Sequence, residues 1–87
     1  MTPVAAETLG LEALTWLTAQ PEALARFFAV SGLGASDLRA RASEPDLLAA
    51  VVDYLLSQEP LAMEFCKKQG LSARDLHLAQ HVLANLK

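Results

Sequence analysis

The sequence predicts an all-α fold, a six-helix compact domain built from two pseudo-symmetric three-helix units, and three observations lead there. Apolar residues recur three and four positions apart, the rhythm of one helical face. Pro and Gly fall between those runs, where helices start and stop. The chain also repeats itself: residues 9–42 lie over residues 47–80 at an offset of 38. The identities are Leu9/Leu47, Leu17/Leu55, Gln20/Gln58, Phe27/Phe65, Gly32/Gly70, Leu33/Leu71, Ala35/Ala73, Asp37/Asp75 and Leu38/Leu76, with Trp16/Tyr54 an aromatic match. They fall on buried-stripe positions, on a glycine stop and the Leu behind it, and at the start of the next helix. A single domain over 1–87 is expected, with one unit over 3–42 and the other over 43–87.

The first helix starts at Thr2-Pro3, where Thr can cap and Pro sits in a turn whose N–H groups have no helical partner to lose. It runs to Ala19 and turns Leu9, Ala13, Trp16 and Leu17 inward. Pro21 restarts the chain as a second helix carrying Leu24, Phe27 and Phe28. Gly32 ends it in the left-handed conformation, with Leu33 folding back behind the stop. A short third helix covers residues 36–42. Ser43-Glu44-Pro45-Asp46 then reads as a capping pattern with Pro in the first turn, opening a fourth helix through Ser57. Asp53 is the one charge between Leu47 and Leu56, so this helix should be the most enclosed. Val51-Val52 alone would suit a strand, but the flanking Leu and Ala and the spacing of Leu47, Val51, Tyr54 and Leu55 outweigh it. Pro60 opens the fifth helix and Gly70 closes it. Ser72-Ala73-Arg74-Asp75 is a second capping pattern, opening a sixth helix that buries Leu76, Ala79, Val82, Leu83 and Leu86.

The repeat fails at an informative place. Leu48, Val52 and Leu56 form a second apolar stripe on the fourth helix, where the first has Gly10, Leu14 and Thr18. Something must cover that stripe: the end of the sixth helix through Val82, Leu83 and Leu86, a partner, or a second copy.

Composition narrows the function classes. A chain of 87 residues that is 53% hydrophobic, with a formal charge of −3, suits one small folded domain and not a disordered one. The single Cys66 cannot close an intramolecular bridge, which points to a reducing cytoplasm. No basic segment precedes an apolar stretch near the N-terminus, and the longest apolar run, Leu47 to Val52, is far short of the roughly 18 residues of a membrane span. Seven Lys and Arg against ten Asp and Glu argue against a dedicated nucleic-acid binder, because phosphate neutralisation supplies most non-specific affinity.

Several segments carry a resemblance: Ala13-Leu14-Thr15-Trp16-Leu17 through Gln20-Pro21-Glu22, Arg26-Phe27-Phe28 with Ser31-Gly32-Leu33, Glu44-Pro45-Asp46-Leu47-Leu48 through Asp53-Tyr54-Leu55-Leu56, and Phe65-Cys66 before Gly70-Leu71. Together they resemble a domain-of-unknown-function family of short alphaproteobacterial proteins. That resemblance covers nearly the whole chain and implies a bacterial, cytoplasmic, helical domain. It supplies no catalytic or binding residue.

A second likeness is to the helix-hairpin-helix module, whose Gly-hydrophobic-Gly turn brings backbone amides to a DNA phosphate. Ser31-Gly32-Leu33-Gly34 fits that turn, and Gly70-Leu71 departs from it by ending in Ser72. Gly32, Gly34, Arg39, Arg41, Lys67, Lys68 and Arg74 would be the phosphate contacts. Asp37 and Asp75 sit beside both turns and oppose them. His77 and His81 share a helical face at the spacing of a zinc-binding helix, yet no further Cys or His completes a ligand set. Cys66, with Lys67 and Lys68 beside it, has the outline of a thiol nucleophile with a His base. Its position next to Phe65 suits a small packing residue better.

The leading reading is therefore a non-catalytic interaction module without cofactor or metal. It would dock a protein partner, or itself, through apolar helix surface. Leu48, Val52 and Leu56 are the candidate contacts, with Leu11, an isolated apolar residue on the polar side of the first helix. Helix-hairpin-helix-like nucleic-acid binding is the alternative, and a small thiol or metal-dependent enzyme comes last because no acid, base and nucleophile set is assembled.

Overall fold

Six helices account for most of residues 1–86, which the computed structural model describes. They are α1 (Pro3–Thr18), α2 (Pro21–Ser31), α3 (Ala35–Arg41), α4 (Pro45–Ser57), α5 (Glu59–Gln69) and α6 (Ala73–Ala84), and among the described residues there is no strand. None of the described helices is long and apolar enough to cross a membrane.

Local chemistry sets the ends. The Thr2 hydroxyl accepts the Ala5 N–H at 3.1 Å, capping α1 ahead of Pro3. Gly32 (φ 75°) and Gly70 (φ 68°) end α2 and α5, each donating its N–H to a carbonyl in the preceding turn, of Phe28 and Cys66. At α6 the capping box is complete: Asp75 N–H donates to Ser72 Oγ at 3.3 Å and Ser72 N–H to Asp75 Oδ2 at 2.9 Å. The capping pattern read at Ser43 is corrected. Glu44 is the N-cap of α4 and makes no side-chain cap bond; its carboxylate instead accepts Arg41 Nε–H at 3.2 Å. Pro45 explains the shift: it favours extended backbone in the residue before it, which stops the chain from continuing α3 into α4.

The heart of the domain is α1, α4 and α6. The most extensive interface joins α4 to α6, both also lie on α1, and α2 and α5 pack at the flanks. Leu47, Leu48, Val51, Val52 and Leu55 of α4 are each at most 1% exposed, and Leu17, Phe27, Phe65, Leu76 and Leu83 meet them from the other elements. Leu24 and Phe28 of α2, and Val82 and Leu86 near the chain's end, are half-buried at the edge of this core, less enclosed than their spacing predicts.

The 38-residue offset recurs in the geometry. Between α2 and α5 both ends are shifted by that number, and the backbone before each helix is alike, Gln20 at φ −115°, ψ 86° and Gln58 at φ −118°, ψ 83°. Phe27 meets Tyr54 edge-on at 5.4 Å between ring centroids, and Phe65 meets Trp16 at 5.7 Å, the same pair with the units exchanged. Such reciprocity is what a two-fold relation between the halves would produce. The third helices differ: α6 lies across α1 and α4, while the shorter α3 makes no comparable interface, and the residues that extend α6 include the fully buried Leu83.

Gly10 and Leu48, also 38 apart, touch each other. A Cβ on Gly10 would stand 2.9 Å from Leu48 Cβ and 3.3 Å from Leu83 Cδ1, so α1 approaches α4 closely only because position 10 has no side chain. The obstructing Leu48 atom is bound to backbone and cannot swing aside. Gly10→Ala should destabilise the fold by a net of up to about 2 kcal/mol in urea unfolding, the overpacking cost of roughly 1–3 kcal/mol exceeding the gain of about 1 kcal/mol from removing a mid-helix glycine. Gly10→Val should cost more. Gly32→Ala meets no atom within 4 Å, so its cost of about 1–2 kcal/mol would come from the left-handed backbone alone.

Candidate functional site

The predicted contact stripe lies mostly inside the monomer. Leu48 and Val52 are fully buried, and Leu56 is half-buried against the core. They offer no open face, which corrects their assignment as partner contacts. The covering comes from within, from Gly10 of α1 and from α6, which makes its most extensive interface with α4. Leu11 is different: it lies 42% exposed on α1.

Around Leu11 the surface is concave. Val4, Thr8, Leu11 and Thr15 succeed one another at helical spacing on the exposed side of α1 and carry no charge. Beside them a groove of about 440 Å³ runs between α1 and the end of α5, with Leu11, Thr15, Trp16 and Ala19 on one side and Lys68 and Gln69 on the other. A second opening of about 320 Å³, reaching Ala5, Leu9 and Leu71, shares Thr8, Glu12 and Gln69 with it, so the two are continuous along α1. From Ala5 to Ala19 the helical rise gives about 21 Å of length. Trp16 is buried against Phe65 and forms a rigid wall. Glu7 and Glu12 are the only charges on α1. The sequence signal for this face was the uncharged run of Val4, Thr8, Leu11 and Thr15, from which the sequence reading singled out Leu11 alone.

The hairpin turns have little left to offer a phosphate. The Gly32 N–H is donated to Phe28 O at 3.0 Å, Leu33 N–H to Ser31 Oγ at 3.2 Å, and Gly34 N–H to Asp37 Oδ2 at 2.8 Å. At the second turn Leu71 N–H goes to Cys66 O at 2.8 Å and Ser72 N–H to Asp75. A carboxylate thus stands at each turn where a phosphate would. Arg41 is paired with Glu44, while Arg39, Lys67, Lys68 and Arg74 are exposed on three different helices, α3, α5 and α6.

His77 and His81 are both exposed on α6, and among the described residues no group of three or more metal-ligating side chains gathers. Cys66 is buried in α5. Burial first, and the Asp75 carboxylate second, hold its thiol above the ordinary value. That is the reverse of the shift that activates a nucleophile.

The profile of a family described as protein of unknown function (DUF3572) matches residues 3–85, a span that includes all six helices. No curated protein and no solved structure matches the chain.

Two measurements probe these placements. Val52→Asp should lower stability by about 3 kcal/mol or more, the scale of an uncompensated buried charge, whereas Leu11→Asp should stay within about 0.5 kcal/mol; urea unfolding separates them. Because the Cys66 pKa is raised in the fold, the unfolded chain ionises first, and stability should fall as pH rises above roughly 8.5 and continue to fall until the folded thiol titrates. Iodoacetamide should accordingly alkylate Cys66 at least about tenfold more slowly in the native protein than in urea.

Proposed function

We propose that this chain, which belongs to the DUF3572 family, is a non-catalytic docking module whose groove along α1 receives an amphipathic helix of a protein partner. The observation that carries this reading is the open face of α1 formed by Val4, Thr8, Leu11 and Thr15, beside the groove walled by Trp16. One side of α1 is buried through Leu9, Ala13, Trp16 and Leu17, and on the other Val4 and Leu11 stand exposed between threonines. The groove's length of about 21 Å corresponds to roughly four helical turns, and helix-in-groove recognition uses apolar anchors at that spacing. Glu12, which lines both openings, favours a partner helix carrying Lys or Arg near it. Lys68 on the opposite rim favours an acid on the other edge.

The buried, deactivated Cys66 supports a binding role over thiol catalysis, and a lone buried thiol is at home in a reducing bacterial cytoplasm. Nucleic-acid binding is the weaker reading, because the amides that would hold a phosphate are donated within the turns.

The test is affinity capture from native cell extract with three baits: the wild type, Leu11→Asp, and Val30→Asp as an exposed control on α2. A protein retained by the wild type and Val30→Asp and lost from Leu11→Asp is the expected result. A partner held equally by Leu11→Asp would move the interface elsewhere. Sedimentation showing a dimer that Leu11→Asp converts to monomer would replace the partner helix by a second copy.

A further inference from the structure

A second cleft, of about 360 Å³, opens between α2, the length of α4 and the end of α3. It is the counterpart of the α1 groove: Asp46, Asp53, Tyr54 and Ser57 line it where Thr8, Thr15, Trp16 and Ala19 line the other, each pair 38 residues apart. The chemistry has diverged. Two threonines are replaced by aspartates, and an indole by a phenol.

That phenol is without a partner. Tyr54 is 6% exposed, its ring meets Phe27 edge-on, and its hydroxyl is buried with no hydrogen bond among the described residues. A buried hydroxyl left unpaired is costly, and in folded proteins such groups are rare. Side chains on a helix lean toward its N-terminus. From Tyr54 that direction runs past Ala50 to Leu47 and Asp46, all of which line the cleft as Tyr54 itself does. Phe27, Leu33 and Leu47 make the adjoining wall apolar. The rim is acidic: Asp53 has no ion pair or hydrogen bond among the described residues, while the one lining cation, Arg41, is paired with Glu44 at 3.2 Å. That surface pair is worth less than about 1 kcal/mol, so it holds Arg41 only weakly at the rim.

We propose that this cleft binds a small organic amine: an apolar or aromatic body against Phe27 and Leu47, a hydrogen-bonding group on Tyr54 Oη, and a protonated nitrogen toward Asp53. The site is independent of the α1 groove and of any partner bound there.

Tyramine has all three features; phenethylamine lacks the hydroxyl, and 4-hydroxyphenylacetate reverses the charge. Each is titrated into the ¹⁵N-labelled full chain, following amide shifts. Tyramine should shift amides around Phe27, Leu47 and Tyr54 and leave those around Thr15 and Trp16 unmoved. It should bind about three- to tenfold more tightly than either analogue, the range that one hydrogen bond or one exposed charge contact supplies. Tyr54→Phe should remove its advantage over phenethylamine, and Asp53→Asn its advantage over 4-hydroxyphenylacetate. Tyr54→Phe should also unfold at the same or higher urea concentration than the wild type, because it deletes an unpaired group. Absence of shifts at millimolar tyramine, equal affinity for the anionic analogue, undiminished binding by Tyr54→Phe, or a Tyr54→Phe protein less stable than the wild type would each overturn the proposal.

Discussion

Gly10 lets the first helix of the domain come close enough to the fourth for both to share one cover. With Leu48 Cβ only 2.9 Å from where a Gly10 side chain would begin, the two backbones meet at a point with room for one side chain and not two. Leu48 fills it, and Leu83 of α6 closes over the same spot. The arrangement explains why the repeat breaks there. Positions 10 and 48, 38 residues apart, compete for a single space, and a small residue against a large one resolves the competition. A mid-helix glycine costs about 1 kcal/mol in helix propensity; the enclosure of Leu48, Val51, Val52 and Leu83 offsets it many times over.

From that contact the division of the surface follows. Once α6 is seated over α4, the second stripe of α4 is satisfied within the monomer, and apolar surface is left over elsewhere, on α1, whose own stripe needs only one side covered. The turns after α2 and α5 are self-sufficient for a related reason. Each follows a left-handed glycine, and each next helix begins with an aspartate that takes the amide three residues before it. The turns are thereby satisfied locally, and interaction chemistry shifts to the helix faces.

The two grooves show how one scaffold diversifies. Trp16 and Tyr54 hold corresponding places and meet corresponding phenylalanines, yet one stands beside threonines and the other beside aspartates. Positions 38 apart line both clefts, and a few side chains give each a different electrostatic character.

The helical class, the glycine stops at 32 and 70, the Thr2 and Ser72 caps and the inward stripe of Leu9, Ala13, Trp16 and Leu17 were all legible beforehand, because each depends on neighbours within a few residues. Even the failure of the repeat at Gly10 and Leu48 was visible as a pattern. Its meaning was not, since it depends on two helices meeting that are separated by the whole of α2 and α3. The same holds for Leu48 and Val52, which periodicity marked as apolar without saying what would cover them, and for Tyr54, whose hydroxyl is unpaired only because Phe27 and the core close around it. Spacing along a chain reveals which side of a helix is oily; only the seating of one helix on another determines which oily side stays open to water.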